Sequence, residues 1–294
     1  MDSKKLSVWL DAARPQTLGA ALVPVMVGAA LAWNDQLFRL DTTLVALFCA
    51  FAIQIGTNFA NDYFDFKKGA DTDERIGFQR ATATGLISSK AMLTATILTM
   101  GIAFLAGLYL VLVGGWVILA IGLLSLLFGI LYTGGPYPLG YNGLGDLFVF
   151  IFFGVVAVMG TYYVNALEWS TVSFWASIPV GFLAVNILVV NNLRDIEQDK
   201  KAGKNTLGVL FGENALKAEY LIMGILSYPV LFYFYTLEAF SLWIFLPLIT
   251  FPLFIIILYH IFYHEDKSTL NRTLEHTAKF MVLFGTLFSV GIVL

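Results

Sequence analysis

Two stretches of the chain put carboxylates and carboxamides where the surrounding sequence is almost wholly apolar. The first reads Asn58-Phe59-Ala60-Asn61-Asp62-Tyr63-Phe64-Asp65, the second Asn191-Asn192-Leu193-Arg194-Asp195-Ile196-Glu197-Gln198-Asp199. Each closes an apolar run of about twenty residues, the length that spans a bilayer. On a helix, Asn58, Asp62 and Asp65 fall at i, i+4 and i+7, and Asn191, Asp195 and Asp199 at i, i+4 and i+8, so each set lines one face. Carboxylates beside a membrane are costly and mark a functional site with a cationic partner. Lysines and arginines follow both faces, a combination suited to hard cations holding a polyanion. Mg²⁺ is held by a few carboxylates together with phosphate oxygens and water. Asn58, Asn61, Asp62 and Asp65 offer oxygen donors from one loop, and Asp195 and Asp199 from the other. Arg75, Arg80, Arg194, Lys201 and Lys204 then supply positive charge for the rest of a diphosphate.

Other polar residues are open to two readings. Asp71 and Asp73 lie in a polar loop where solvation explains them equally well, and the twelfth position from Asp71 is Thr82, not the Glu of a calcium loop. The stretch from Tyr132 to Asp146 is broken by Gly134, Gly135, Pro136, Pro138, Gly140, Gly143 and Gly145, which forbid continuous helix. It is either an interfacial turn with a tyrosine belt or a cap over the site. As a cap it would bring Tyr132, Tyr137 and Tyr141, with Asn192, to an aromatic acceptor, and Asp146 near the metals. His260, His264 and His276 lack metal-type spacing. Cys49 is the one cysteine, so no intrachain disulfide forms, and it reads as a small apolar filler.

These residues need elements to carry them. The chain is 59% hydrophobic and 13% charged over 294 residues, with a net charge of -3. That composition predicts an all-α integral membrane protein made of a single domain over residues 1–294. The charged start followed by an apolar stretch resembles a signal peptide, but the later apolar runs favour a first span that stays in the membrane. Nine spans are expected, at Thr17–Trp33, Thr43–Asn61, Ala91–Val113, Trp116–Tyr132, Gly145–Asn165, Val172–Val190, Ala218–Tyr235, Phe240–Phe262 and Ala278–Leu294. Spans three and four form a hairpin at Gly114-Gly115. Sixteen of the seventeen lysines and arginines fall on one side and only Arg39 on the other. The N-terminus and both acidic loops are therefore expected in the cytoplasm. Asp62 and Asp195, 133 positions apart, each precede a basic loop and a threonine-containing turn. This spacing suggests two related four-helix units plus a ninth helix, with the site in a central cavity between the units.

In these motifs the chain resembles the UbiA superfamily of intramembrane prenyltransferases over nearly its whole length. The resemblance rests on Ala13-Arg14-Pro15-Gln16-Thr17-Leu18, on Asn61-Asp62-Tyr63-Phe64-Asp65-Phe66-Lys67-Lys68-Gly69-Ala70-Asp71-Thr72 and on Gly143-Leu144-Gly145-Asp146. It also rests on Asn191-Asn192-Leu193-Arg194-Asp195 with Asp199, followed by Ala202-Gly203-Lys204-Asn205-Thr206-Leu207. It is strongest to the branch that prenylates 1,4-dihydroxy-2-naphthoate on the way to menaquinone. It implies that Asn61, Asp65, Asp195 and Asp199 surround a Mg²⁺-diphosphate and that Arg80 and Lys204 contact the leaving group. Where some relatives carry a basic residue, this chain has Gly140.

The expected function is Mg²⁺-dependent transfer of a polyprenyl group from its diphosphate to the naphthoate ring, with loss of diphosphate and CO₂, giving demethylmenaquinone. The expected partners are the polyprenyl diphosphate, an aromatic acceptor and the lipid bilayer, without nucleic acid. The expected location is a bacterial cell membrane. Homogentisate-type or 4-hydroxybenzoate-type acceptors are alternatives. A CDP-alcohol phosphotransferase would need an Asp-Gly-x-x-Ala-Arg element, whereas Asp65 is followed by Phe66-Lys67-Lys68-Gly69. An ion-coupled transporter would need polar groups near the midplane, whereas these acids gather at one side.

Overall fold

The computed structural model describes residues 3–70, 76–77, 80–264 and 266–294. Among them the regular structure is helical throughout. In chain order the α-helices are α1 (Ser3–Ala13), α2 (Leu18–Asn34), α3 (Leu40–Lys67), α4 (Ser89–Leu131), α5 (Gly145–Val149) and α6 (Ala157–Ala166). They continue as α7 (Thr171–Lys201), α8 (Leu207–Phe211), α9 (Glu213–Leu226), α10 (Pro229–Thr236), α11 (Phe251–Phe262) and α12 (Leu270–Val293). A π-helical segment, Phe150–Val156, joins α5 to α6, and a 3₁₀ segment, Leu242–Thr250, leads into α11.

Among the described residues, eight helical segments are long and apolar enough to cross a membrane, where nine spans were expected. The difference lies in α4. Its 43 residues would run about 65 Å at 1.5 Å per residue, twice a hydrocarbon core. The helix turns at Gly115, whose φ of 70° and ψ of -157° suit only glycine. Its arms fold back on each other: a Cβ on Gly129 would lie 3.5 Å from the Met100 methyl. The hairpin expected at Gly114-Gly115 is thus one bent helix.

Two other boundaries moved. The span expected from Ala218 to Tyr235 begins at Glu213 and breaks before Pro229, whose ring cannot sit against the preceding turn. The last helix starts at Leu270 instead of Ala278. Its first turns bury Leu270, Thr273, Leu274 and Thr277 while interposing Asn271, Arg272, Glu275 and His276. An amphipathic period, not a continuous apolar run, marks such turns.

The two halves repeat in detail, with a spacing of 134 residues, not the 133 inferred from Asp62 and Asp195. Helix α3 ends with Gly69 in the left-handed region (φ 67°) and the Ala70 amide donating to the Asp65 carbonyl at 3.0 Å. Helix α7 ends with Gly203 (φ 69°) and the Lys204 amide donating to the Asp199 carbonyl at 2.8 Å. These closures satisfy the orphan carbonyls of both last turns. In this register Asn58, Asn61 and Asp65 correspond to Asn192, Asp195 and Asp199, and Asp62 corresponds to Ile196.

Close packing holds the halves together. Gly154 in the π segment lies against α7, where a Cβ would come within 2.8 Å of the Gly181 Cα. Gly28 of α2 lies so close to α6 that a Cβ would meet the Val158 carbonyl at 2.5 Å. Small residues at such crossings let backbones approach where lipid provides no hydrophobic drive. One large apolar core joins α2, α7, α9, α10, α11 and α12 through residues that include Phe234, Phe254, Phe280, Phe284 and Phe288. Between the halves lies a cavity.

Candidate active site

The cavity has a volume of about 440 Å³ and runs between the halves. The repeat sets its walls. Ala50, Ile53, Thr57, Asn58, Asn61 and Asp65 of α3 line it, and so do their counterparts 134 positions on: Ala184, Ile187, Asn191, Asn192, Asp195 and Asp199. The carboxylates and carboxamides come at the ends of the two helices, so one end of the cavity is polar. The rest is apolar, with Phe128, Phe148 and Phe152 in mutual ring contact along one wall.

Asp65 is the hub of the polar end. It is 2% exposed, and Arg80 reaches it with a 2.9 Å ion pair. Tyr141 donates its phenolic hydrogen to Asp65 Oδ1 at 2.6 Å. Lys204 Nζ lies 3.8 Å from Asp65 and 3.5 Å from Asp199, so one ammonium spans the carboxylates of both repeats. The Lys204 and Lys68 ammonium groups both lie over the Tyr141 ring, 4.8 and 4.3 Å from its centroid. Asn61 accepts a short hydrogen bond from the Thr133 hydroxyl. The Lys68 ammonium donates to the Thr133 carbonyl at 2.6 Å. Burial lowers the Lys68 pKa, opposed by Asp65 and assisted by Lys204. Tyr132 also lines the cavity, and its burial, with the charges of Asp146, Asp199 and Asp65, holds its phenol in the neutral form.

Other expected site residues sit elsewhere. Asp62 was expected among the metal ligands, but it does not line the cavity. Its carboxylate accepts the backbone N–H groups of Ala81 at 3.0 Å and Thr82 at 3.1 Å. It fixes the loop on which Arg80 points back at Asp65. Arg194 was expected on the phosphate, yet it is not in the cavity wall either. Its guanidinium grips both oxygens of Asp195 at 2.7 Å and donates to Asn191 (2.7 Å) and Asn271 (2.8 Å). Each nitrogen of that fork donates to protein, so Arg194 orients Asp195. Lys201 is exposed and outside the wall, and Tyr137 is 61% exposed and also outside it. The reason is the local turn: the 3₁₀ segment at Leu139–Tyr141 aims Tyr141 inward and leaves Tyr137 outside. Asp146 is buried at the start of α5, outside the cavity wall. Asp71, Asp73 and Arg75 lie outside the described residues. At Gly140 a Cβ would sit 3.0 Å from the Tyr132 ring, so a basic side chain there requires Tyr132 to move.

Three contributors were missed. Arg14 lines the cavity, on a left-handed backbone (φ 55°) before Pro15. Pro15 disfavours the right-handed conformation for the residue before it, and the Arg-Pro pair was the available signal. Lys68 was counted only toward topology. Asn271 binds Arg194 and donates to the Ile76 carbonyl at 3.0 Å, but it lies in the amphipathic start of α12 that the apolar-run reading left out.

The donor set suits Mg²⁺. Asn61, Asp65, Asp195 and Asp199 present hard oxygens to one space. Among the described residues, no three His, Cys, Asp or Glu side chains gather closely enough to enclose an ion alone. An open carboxylate set of this kind requires ligand oxygens to complete the shell, which is how Mg²⁺ is usually shared with a phosphate.

Residues 21–284 match the model of the UbiA prenyltransferase family. The 1,4-dihydroxy-2-naphthoate octaprenyltransferase of Escherichia coli is 39% identical, over 99% of this chain and 96% of its own. The fold matches the structure of a UbiA homolog from Aeropyrum pernix with a TM-score of 0.74 at 16% identity, covering 94% of this chain and 98% of that one. It also matches a UbiA homolog from Archaeoglobus fulgidus bound to DMAPP and Mg²⁺, with a TM-score of 0.64 at 17% identity, covering 96% and 99%.

Proposed function

The chain belongs to the UbiA prenyltransferase family, and from that membership and the cavity's polarity we propose that it prenylates 1,4-dihydroxy-2-naphthoate. It is a membrane enzyme that takes the polyprenyl group from polyprenyl diphosphate and releases diphosphate and CO₂. The observation that carries this reading is one cavity with two chemistries: paired carboxylates and cations at one end, aromatic and aliphatic walls beyond.

The donor diphosphate enters at the polar end. Asn61, Asp65, Asp195 and Asp199 would hold Mg²⁺ there. When bound, the metal neutralises charge on the diphosphate oxygens and makes diphosphate a better leaving group. Arg80, Lys204, Lys68 and Arg14 surround the same end and stabilise the charge that develops as the allylic C–O bond breaks. The electron pair of that bond leaves with the diphosphate. The allylic cation forms beside Phe128, Phe148 and Phe152, whose ring faces attract positive charge and exclude water. The electron-rich naphthoate ring attacks at the carboxyl-bearing carbon, and the C–C bond to the carboxylate breaks to release CO₂. Its electron pair restores the aromatic ring, so no base has to take a ring proton. The organic product is the quinol form of demethylmenaquinone, since no oxidant takes part.

The sixteen-to-one distribution of basic residues supports an orientation with the N-terminus and polar end in the cytoplasm of a bacterial cell. The test of the activity is direct. Purified protein in lipid nanodiscs with Mg²⁺, octaprenyl diphosphate and the naphthoate should release one CO₂ per prenylated product, detected by mass and by carboxyl label. Transfer to 4-hydroxybenzoate in preference to the naphthoate would overturn the acceptor assignment.

A further inference from the structure

The apolar end of the cavity contains glycines that packing does not explain. Gly107 and Gly122 lie within the two arms of α4, and Gly160 lies in α6; all three line the cavity. A Cβ on Gly122 or Gly160 would meet nothing within 4 Å, and one on Gly107 would meet only Cys49 Sγ, at an ordinary 3.9 Å. The contrast with other glycines is clear. Gly129 also lines the cavity, but a Cβ there would strike Thr57 Oγ1 at 2.7 Å, and Gly28 and Gly154 sit at helix crossings. Glycine weakens a helix interior relative to alanine because it adds backbone freedom and buries nothing. Gly107, Gly122 and Gly160 accept that cost without bringing any helix closer. What the missing side chains leave is volume inside the cavity.

The volume lies far from the polar end. Cys49, beside Gly107, is sixteen residues before Asp65 on α3, about 24 Å at the helical rise. Gly122 is ten residues before Tyr132 on the returning arm of α4, about 15 Å by the same measure. The arms of α4 run antiparallel with Gly129 facing Met100, and the same register sets Gly107 across from Gly122, so the two glycines share one depth on the path that a tail would follow from a diphosphate held at Asp65 and Asp199. Around them the wall is Cys49, Ala103, Ile118 and Leu119, small or apolar and without a charge. Only an apolar chain fits such a space.

Resting on the prenyl-transfer reading above, we propose that Gly107 and Gly122 keep open the channel for the distal isoprene units of the donor and set the longest tail accepted. The two glycines act from opposite arms of α4 at one depth. A leucine at either position fills the channel at that depth, so long donors are rejected while short ones still reach the polar end. Gly101 supplies the control. It lies on the same arm of α4, a Cβ there would meet nothing within 4 Å, it is exposed on the outer face and it does not line the cavity.

The test compares Gly107→Leu, Gly122→Leu and Gly101→Leu in nanodiscs with Mg²⁺, the naphthoate, and geranyl or octaprenyl diphosphate. The readout is the ratio of kcat/KM for octaprenyl over geranyl donor. Both cavity variants should lower that ratio by about tenfold or more, the scale at which a filled apolar pocket discriminates. Gly101→Leu should leave it unchanged. With farnesyl and geranylgeranyl donors added, Gly122→Leu and Gly107→Leu should impose the same limit on tail length. Gly107→Ala, which adds one methyl at ordinary contact distance, keeps the question open to measurement if a leucine variant does not accumulate; it should shift the ratio in the same direction by less. An unchanged ratio in the cavity variants, or an equal shift in Gly101→Leu, would overturn the proposal while leaving prenyl transfer intact. No transfer from any donor by the unaltered protein would overturn the reading on which it rests.

Discussion

Asp65 and Asp199 are the same residue of two repeats: each closes its helix with its carbonyl accepting the amide five positions on, from Ala70 and Lys204. Because the backbones match, the carboxylates are delivered to one cavity from opposite walls, where a single ammonium, Lys204, lies within 4 Å of both. Two like charges brought together this way repel unless cations sit between them. Lys204 does so in the protein alone, with Arg80 paired to Asp65, and on the proposed function Mg²⁺ would add to them. The repeat therefore builds the site, and equivalence across it should hold in function.

That equivalence gives the first prediction. Asp65→Asn and Asp199→Asn keep the side-chain volume and remove one negative charge each. Both should reduce prenyl transfer by about two to three orders of magnitude, the usual cost of deleting one electrostatic contributor. Both should also weaken Mg²⁺ dependence in parallel, measured as the Mg²⁺ concentration at half-maximal rate. Near-normal turnover by either at saturating Mg²⁺ would contradict the assignment.

Asp62 should behave differently despite sitting in the same motif. Its carboxylate holds two backbone amides, and hydrogen bonds to a charged group contribute about 1.5–3 kcal/mol each. Asp62→Ala should therefore free the Ala81–Thr82 turn and loosen Arg80. We expect lower turnover and faster proteolysis of the segment between α3 and α4, with the Mg²⁺ requirement unchanged. A raised Mg²⁺ requirement with the segment still protected would restore Asp62 to the metal.

The difference between Asp62 and Asp65 also shows what the sequence could not reveal. Spacing at i, i+4 and i+7 put Asn58, Asp62 and Asp65 on one broad face, and all three are buried. A helical face of that width meets two neighbours, here the cavity and the loop after α3, and periodicity cannot divide it. The second repeat could have done so, because at a spacing of 134 the partner of Asp62 is Ile196, an apolar residue. The same limit applies to Arg194: a charge next to Asp195 looks available to substrate until α12 brings Asn271 against it. Membrane helices and the paired motifs were legible because lipid demands long apolar runs. Asn271 and the first turns of α12 were not, since an amphipathic start carries no such run.

Asn271 offers a further test. It accepts from Arg194 and donates to the Ile76 carbonyl, so it ties α12 to α7 and to the loop after α3. Asn271→Ala leaves one Arg194 donor without its partner, at a cost of about 1–3 kcal/mol. Asn271→Asp keeps an acceptor but loses the donor to Ile76. We expect the alanine variant to lower thermal stability and turnover together, and the aspartate variant to retain more stability. If both variants lower turnover at full stability, Asn271 contacts substrate instead.

Topology is checked separately. Single cysteines at Gly69 and Ala202, beside the polar end, and at Glu168, at the opposite ends of the helices, can be introduced into a Cys49→Ala background. A membrane-impermeant thiol reagent added to intact cells should label position 168 and spare 69 and 202, as the distribution of basic residues requires. Labelling at 69 without labelling at 168 would reverse the orientation.

Tyr137 and Tyr141 were expected to choose the aromatic acceptor together, and their placement separates them. Tyr137 is exposed, while Tyr141 donates to Asp65 and carries the Lys68 and Lys204 ammonium groups over its ring. Tyr141→Phe removes one charge-assisted hydrogen bond and keeps the ring, so it should cost about 1.5–3 kcal/mol of transition-state stabilisation, roughly one to two orders of magnitude in rate. On the proposal that Asp65 serves the leaving group, the loss should be equal for naphthoate and benzoate acceptors, as it should be for Arg80→Ala and Lys204→Ala. Tyr137→Phe should leave the rate unchanged. Competition between two acceptors for one prenyl diphosphate reads the ratio directly. A shifted ratio in Tyr141→Phe, with Arg80→Ala and Lys204→Ala unshifted, would mean that the phenol faces the acceptor during turnover and leaves Asp65 to do so.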